Sequence, residues 1–370
     1  MTTRVHYFGT LPPFQGGIAQ HGSRIAEGLR EAGFEVLATS WASQYPGWLY
    51  RGNQPTDAEK AEADARIRFV ARWWNPVDWW RVGRMAKSSL GLIEPWVTPF
   101  HALAVVVSFL AARPAPTILI VHNIETHEWF PFRALLTKAA LRCASYVIVH
   151  SVTVGDQVAD LAPLTPVEVV PMPRLIEING SPLPVSDSLR LLMVGYVRLY
   201  KGLEVALDAV DLLKDEDFPV QLRVMGEFWQ PSVADVQQMI EQRRLGQYVS
   251  IRPGYVDDEH LVGALSEHHI VLLPYLTATQ SAIAPLAHAA HRPVIASNLP
   301  GLAEQVDDGV DGFLFKAGSA EDLANVVREA AGRLDSLYRG AMAHSELGVE
   351  EELITCLRRL VGGTASSRQR

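Results

Sequence analysis

The sequence predicts an α/β protein with parallel strands, and three observations carry that expectation. Short runs rich in branched aliphatic residues, Ile118–His122, Leu189–Gly195 and His269–Pro274, each end at a loop, and two of them feed directly into a segment of helical period. The stretch Pro274–Phe315 repeats the pattern: a strand end, a polar loop at Leu276–Thr279, a helix with Ile283, Leu286, Ala287 and Ala290 on one face, then a strand at Pro293–Ser297. That is one parallel βαβ unit whose loop falls at a strand's carboxyl end, where open α/β sheets bind ligands. At 370 residues the chain is also long enough for roughly two domains with full cores.

In chain order, Val5–Gly9 reads as a strand and LPPFQGG as a loop that its prolines keep from continuing the strand and its glycines open to a ligand. A helix is expected over Ile18–Ala32, with Ile18, Ile25, Ala26 and Leu29 inward. The spacing of Gly16, Gly17 and Gly22 fails G-x-G-x-x-G, and nothing matches the P-loop. Ser43–Trp96 looks irregular and tryptophan-rich, and its aromatics suit either loop packing or an acceptor pocket. Trp79, Trp80, Arg81, Arg84 and Lys87 place aromatics beside cations, a combination that suits a membrane surface. The apolar run Ala102–Ala112 is too short to span a bilayer and reads as a buried helix. Ile118–His122 puts a histidine at a strand's carboxyl end, an active-site address in this architecture, although a structural histidine would fit as well. WFPFRALLTKAALRCA reads as an amphipathic helix with Arg133, Lys138 and Arg142 outward. Tyr146–His150 and Val167–Val170 are the last strands of the first domain.

These boundaries give a first domain over 1–172, a proline-rich linker over 173–188 and a second domain over 189–346. A terminal helix is expected over 347–362 and a disordered tail over 363–370.

Two loops of the second half are suited to an anion. Thr279 and Ser281 can cap the helix after Leu276–Thr279, and the free amides of its first turn, with Gln280 beside them, suit phosphate. Capping alone would account for the same residues, so a partner is needed. Leu189–Gly202 supplies it: an apolar run ending in Gly195, a turn with Arg198 and Lys201, then a helix whose Leu203, Ala206, Leu207, Val210 and Leu213 share a face. Arginine offers a fork and lysine a compact charge, which together suit a diphosphate better than one carboxylate.

The ordered set Gly195, Arg198, Tyr200, Lys201, Gly202, Gly226, Glu227, Pro274, Tyr275, Gln280, Ser281, Pro293–Ala296, Gly301, Glu304, Gly309 and Gly312 resembles glycosyltransferase family 4. Gly16, Gly17 and Ile18 are similar to that family's glycine loop, and His122, Asn123, His127 and Glu128 to a motif of one bacterial branch. The resemblance implies a GT-B fold, two Rossmann-like doubly wound domains facing across a cleft, and transfer from a nucleotide-diphosphate sugar with retention of configuration. It implies catalytic roles for His122, near the transferred sugar, and for Arg198 and Lys201, with a weaker orienting role for His127. Donor contacts are expected from Gly16, Gly17, Gly195, Gly226, Glu227, Thr279, Gln280 and Ser281, from backbone near Val256, and from Glu304 as a candidate for the ribose. Most members place two glutamates where this chain has Ala278 and Leu286, and the Gln280–Ser281 branch dispenses with that pair. The branch commonly has glycine where this chain has Ala282 and His291.

No metal and no cofactor are expected. Asp215, Glu216 and Asp217 imitate a D-x-D motif but fall at a helix end before Pro219, and adjacent His268 and His269 point to opposite faces of a strand. Asp307, Asp308 and Gly309 are turn residues. A net charge of −8 with no evident basic patch argues against nucleic acid as a partner. Two cysteines, Cys143 and Cys356, make no disulfide framework, and MTTRVHYFG enters a strand directly, so a cytoplasmic protein is expected, with the inner membrane face as its site if the acceptor is lipid-linked. The expected reaction is sugar transfer to a glycan, glycolipid or other hydroxyl. A sugar-nucleotide epimerase or a non-catalytic sugar-nucleotide binder of the same fold are the alternatives.

Overall fold

The computed structural model describes residues 3–45, 55–96, 101–124, 132–345 and 349–367. His127 and Glu128, and part of the tryptophan-rich stretch, lie outside them. The chain divides into two compact units, Met1–Leu175 with Val349–Arg370, and Ile176–Gly348.

The first unit carries strands β1 (Arg4–Phe8), β2 (Glu35–Ser43), β3 (Ile67–Arg72), β4 (Leu92–Trp96), β5 (Thr117–Val121), β6 (Tyr146–Val149) and β7 (Val167–Val169). They form one parallel sheet in the order β3-β2-β1-β4-β5-β6-β7. Its helices are α1 (Gly17–Glu31), α2 (Asp57–Glu62), α3 (Pro76–Ala86), α4 (Ala102–Ala112), α5 (Arg133–Cys143) and α6 (Val152–Leu161). The sheet is covered on both faces, so β4 and β5 are buried throughout and read as continuous apolar runs rather than alternating ones.

Two expectations need correction here. Over its described residues Ser43–Trp96 is not irregular: it holds α2, β3, α3 and β4, and Asn75 caps α3 by accepting from Val77 N while Pro76 opens its first turn. Trp79 is buried and its Nε1 donates to Arg72 O, so this tryptophan is core packing, whereas Trp74 and Trp80 stay about half exposed. On α1, Ile18 is only partly buried; Ala19, His21 and Gly22 face inward instead, because the helix starts at Gly17 with Gly16 as its N-cap.

The second unit carries β8 (Leu189–Val194), β9 (Val220–Gly226), β10 (Val249–Pro253), β11 (Ile270–Leu273), β12 (Val294–Ser297) and β13 (Gly312–Phe315). These pair in parallel in the order β10-β9-β8-β11-β12-β13. Between and after them run α7 (Leu203–Asp215), α8 (Val233–Gln242), α9 (Asp258–Glu267), α10 (Ile283–Ala289), α11 (Pro300–Ala303), α12 (Ala320–Gly332) and α13 (Leu334–Ser345). All five expected inward residues of α7 are buried.

The segment expected as a linker is held to this unit. Ile176 and Ile178 enter its core, and the buried Arg292 donates to Ser181 O and Oγ, Pro182 O, Leu265 O, Ser266 O and His291 O. His269 adds a further tie: its Nδ1 accepts from Arg190 N, which leaves Nε2 to donate to Pro184 O. Prolines supply carbonyls without competing amides, so a proline-rich segment suits a cationic clamp.

The chain then returns to the first unit as α14 (Val349–Ser367), whose Leu353, Leu357, Leu360 and Val361 pack with Val5, Ile118 and Ile148. The helix runs as far as Ser367, over positions 363–367 expected to be a disordered tail. A nucleated helix adds a hydrogen bond with each residue, which carries it past weak helix formers such as Gly362 and Gly363. Among the described residues no helix is long and apolar enough to cross a membrane.

Candidate active site

The sheet of the second unit winds outward in both directions from β8, which pairs with β9 on one side and β11 on the other. The loops after β8 and β11 are therefore neighbours at a topological switch point. They touch through backbone: Leu276 N donates to Tyr200 O at 2.7 Å. Gly202 makes the approach possible. It has φ +68, and a Cβ there would lie 1.8 Å from Pro274 O.

Side chains continue the connection. Lys201 Nζ donates to Tyr275 Oη at 2.6 Å, and that oxygen lies 3.3 Å from Ser281 Oγ. An ammonium only donates, so Tyr275 accepts from Lys201 and its own proton is free for Ser281. Ser281 Oγ also accepts from Ile283 N. Burial pulls the Lys201 ammonium down, but the Tyr275 and Tyr200 hydroxyls outweigh it, and the pKa lies above the ordinary lysine value. Lysine is thus charged at neutral pH, with its ammonium 4.2 Å from the centre of the Tyr275 ring.

Gln305 fixes the second loop from outside. Its Oε1 accepts from Ser281 N at 2.7 Å and its Nε2 donates to Ser281 O at 2.9 Å. Ser281 is buried as a result, which differs from the expected helix mouth. The helix starts later, at Ile283, with Ala282 at its N-cap and no side-chain cap bond, and Thr279 makes no cap. With only seven residues in α10, the positive character here comes from Lys201 and Arg198 more than from a helix end.

Arg198 lies on the first loop with its guanidinium 4.3 Å from the centre of the Trp229 ring. Trp229 Nε1 donates to Glu227 Oε2 at 3.2 Å, and Trp229 N to Val197 O. Glu227 is thereby a support for Trp229. Gly195 and Gly226 stand at the ends of β8 and β9 with φ of +114 and +142, and Gly226 presses on the Gly195 carbonyl. Val256 packs on the core, Thr279 and Gln280 are partly buried beside Ser281, and Glu304 is exposed just past α11. Arg198, Lys201, Thr279, Gln280 and Ser281 share these loops; Glu304 belongs to the element after β12.

The sequence alone assigns no role to Tyr275, Trp229 or Gln305. The signal for Tyr275 was its place in the family pattern; for Gln305 there was none, because its partner is a backbone peptide.

At the two atypical positions, Ala282 has φ −73, which any residue adopts, whereas His291 has φ +61. Glycine suits the second position for that reason. Asp215, Glu216 and Asp217 end α7 as expected, with Glu216 paired to Arg328 at 2.7 Å.

In the first unit, Gly16 and Gly17 start α1, and His122 follows directly on β5. Register places Val121 opposite Val149, so His122 and His150 stand side by side past the strand ends. His21, on the second turn of α1, completes a cluster, with ring centres 4.6 Å from His122 and 4.9 Å from His150. Gly22 lets α1 come this close, since a Cβ there would lie 2.5 Å from Tyr7 Oη. Burial and then the neighbouring rings hold His21 far below the ordinary histidine pKa, His122 is lowered to about 3 by burial and by His150, and His150 is lowered by burial to about 4. All three are neutral imidazoles at pH 7. His150 Nδ1 donates to Val170 O at 2.9 Å, while neither ring nitrogen of His21 has a hydrogen-bond partner among the described residues. A buried polar group left so costs about 1–3 kcal/mol.

Residues 188–332 match the family model of glycosyl transferases group 1. The group 1 segment includes Arg198, Lys201, Trp229, Tyr275, Ser281 and Gln305. Over 164 residues the chain is 26% identical to D-inositol 3-phosphate glycosyltransferase of Paenarthrobacter aurescens (strain TC1), covering 44% of this chain and 38% of that protein. It is 29% identical over 145 residues to the amylovoran biosynthesis glycosyltransferase AmsK of Erwinia amylovora, covering 38% and 35%. The matched segments thus span little more than a third of these curated relatives. Among solved structures, sucrose-phosphate synthase from Thermosynechococcus elongatus superposes with a TM-score of 0.77 at 16% identity, covering 97% of this chain and 100% of that one. Anabaena HepE in complex with UDP gives 0.75 at 17% identity, covering 98% and 100%. The fold is therefore that of GT-B glycosyltransferases.

Proposed function

We propose that this chain is a retaining glycosyltransferase that moves a sugar from a nucleotide-diphosphate donor to a hydroxyl of a glycan or lipid-linked acceptor. The observation that carries the reading is the Lys201–Tyr275–Ser281 chain, which joins the loops on either side of the switch point around a charged ammonium. Arg198, on the same loop as Lys201, supplies a second cation whose orientation Trp229 fixes. A diphosphate is the ligand class that two adjacent cations of this kind suit. The HepE structures with UDP and with UDP-glucose, of the same fold, support a nucleotide-sugar donor.

As the glycosidic bond to phosphate breaks, negative charge grows on the departing diphosphate, and Lys201 and Arg198 stabilise it. The donor sugar's carbon is attacked by the acceptor hydroxyl, whose proton passes to the leaving group or solvent. Ala278 and Leu286 stand where most relatives by resemblance have glutamates, so no carboxylate pair offers the nucleophile of a double displacement. Departure and attack on one face of the sugar is the reading that remains. At the start of α5, its N-cap Phe132 and Leu135 are exposed beside Arg133, a combination that suits a membrane-borne acceptor.

A thermal-shift screen against UDP-, GDP- and dTDP-sugars identifies the donor, since ligand binding to the folded form raises its melting temperature. With that donor, Lys201→Ala and Arg198→Ala each lower turnover by about 10²- to 10³-fold while the fold stays intact. Wild-type turnover in both variants refutes the assignment.

A further inference from the structure

We propose that His21, His122 and His150 form a binding site for one divalent transition-metal ion of the zinc class. The three residues each offer a ring nitrogen, and these atoms all lie within 4.8 Å of one another. Ring centres are 4.6, 4.9 and 5.3 Å apart. Tetrahedral binding at metal–nitrogen distances of about 2.0–2.1 Å puts the centres of imidazole ligands roughly 5 Å apart and their nitrogens about 3.4 Å apart, so the rings stand at the right spacing and small rotations bring the nitrogens, all within 4.8 Å, onto one ion.

Two further observations point at a cation rather than at packing. His150 donates from Nδ1 to the backbone carbonyl of Val170, which leaves the lone pair on Nε2, and that nitrogen has no hydrogen-bond partner among the described residues. This is the arrangement in which metal-ligating histidines are held, one nitrogen fixed by a carbonyl and the other free to coordinate. His21 is fully buried with neither nitrogen bonded, so its polar atoms are unexplained by the protein alone. Three neutral imidazoles without a carboxylate in the set suit zinc, cobalt, nickel or copper and disfavour magnesium and calcium. Three protein ligands are also the number that leaves a fourth position for water or a ligand oxygen.

No spacing motif joins positions 21, 122 and 150, and only the fold brings them together. The three histidines belong to the first unit and the diphosphate loops to the second, and the test of the metal site does not depend on turnover.

Full-length protein without a histidine tag is stripped with chelator, then titrated with Co2+ and, in competition with a chromophoric chelator, with Zn2+. We expect one ion per chain and the intense visible absorption of tetrahedral Co2+. His21→Ala and His150→Ala lower affinity by about 100-fold or more, while His344→Ala, in the separate His288–Asp311–His344 cluster, leaves it unchanged. His150→Gln, which keeps most of the ring's volume, serves if the alanine variant is unfolded by circular dichroism. Substoichiometric binding with only the weak octahedral spectrum overturns the proposal. So does a folded His150 variant that binds as tightly as the wild type.

Discussion

Lys201 and Ser281, eighty residues apart on different βα loops, are joined through one phenol: Lys201 Nζ is 2.6 Å from Tyr275 Oη, and Tyr275 Oη is 3.3 Å from Ser281 Oγ. Tyr275 is itself buried against the core, so the hydroxyl is a fixed point between the two loops. Removing it while keeping the ring tests the link alone. Hydrogen bonds to charged groups contribute about 1.5–3 kcal/mol and this one is made without donor, so Tyr275→Phe should lower the melting temperature as well as donor affinity, the latter roughly tenfold. Titration calorimetry with the donor identified by thermal shift reads the effect.

Trp229 supports Arg198 through its ring face. A partly exposed cation–π contact is worth about 0.5–1 kcal/mol, so Trp229→Ala should weaken donor binding about two- to fivefold, and Trp229→Phe less. Equal loss in the two variants would mean that the indole contributes through its bond to Glu227 instead.

Arg292 is fully buried and holds Ser181, Pro182, Leu265, Ser266 and His291 by their oxygens. Arg292→Ala leaves those carbonyls unpaired and a cavity beside them, a loss of about 2–4 kcal/mol. Lysine cannot reproduce a planar fork, so Arg292→Lys should recover little. Urea unfolding followed by circular dichroism measures both.

Acid should destabilise the protein well above the carboxylate range. Burial lowers His6 to about 3 and His101 and His288 to about 4, against 6.5 unfolded. Between those values the unfolded chain binds protons that the folded chain does not, so stability is fully present above pH 6.5 and falls as pH drops toward 4. Each such histidine loses up to about 2 kcal/mol of its contribution by pH 5. Melting temperatures from pH 7 to pH 5 should fall steeply, and less steeply in His6→Asn.

The elements with one strong pattern were the most legible. α7 shows its buried face in Leu203, Ala206, Leu207, Val210 and Leu213, and the α4 bounds agree with the apolar run Ala102–Ala112. The stretch around α3 was not legible, because Asn75, Pro76 and the Arg72–Asp78 pair set its helix while its tryptophans obscured the period. The linker differs in another way: its composition is that of a solvated segment, and the distant Arg292 and His269, with Ile176 and Ile178 in the core, make it part of the second unit.

By itself, the sequence determined two parallel α/β units and the βα loops that carry Arg198, Lys201 and Ser281, because periodicity and loop chemistry are local properties. Only the tertiary structure decided that Tyr275 joins those loops, that Gln305 anchors Ser281, and that His21, His122 and His150 meet. Such contacts are made by parallel strands whose ends align in space while lying far apart along the chain, and no local pattern records which strand ends become neighbours.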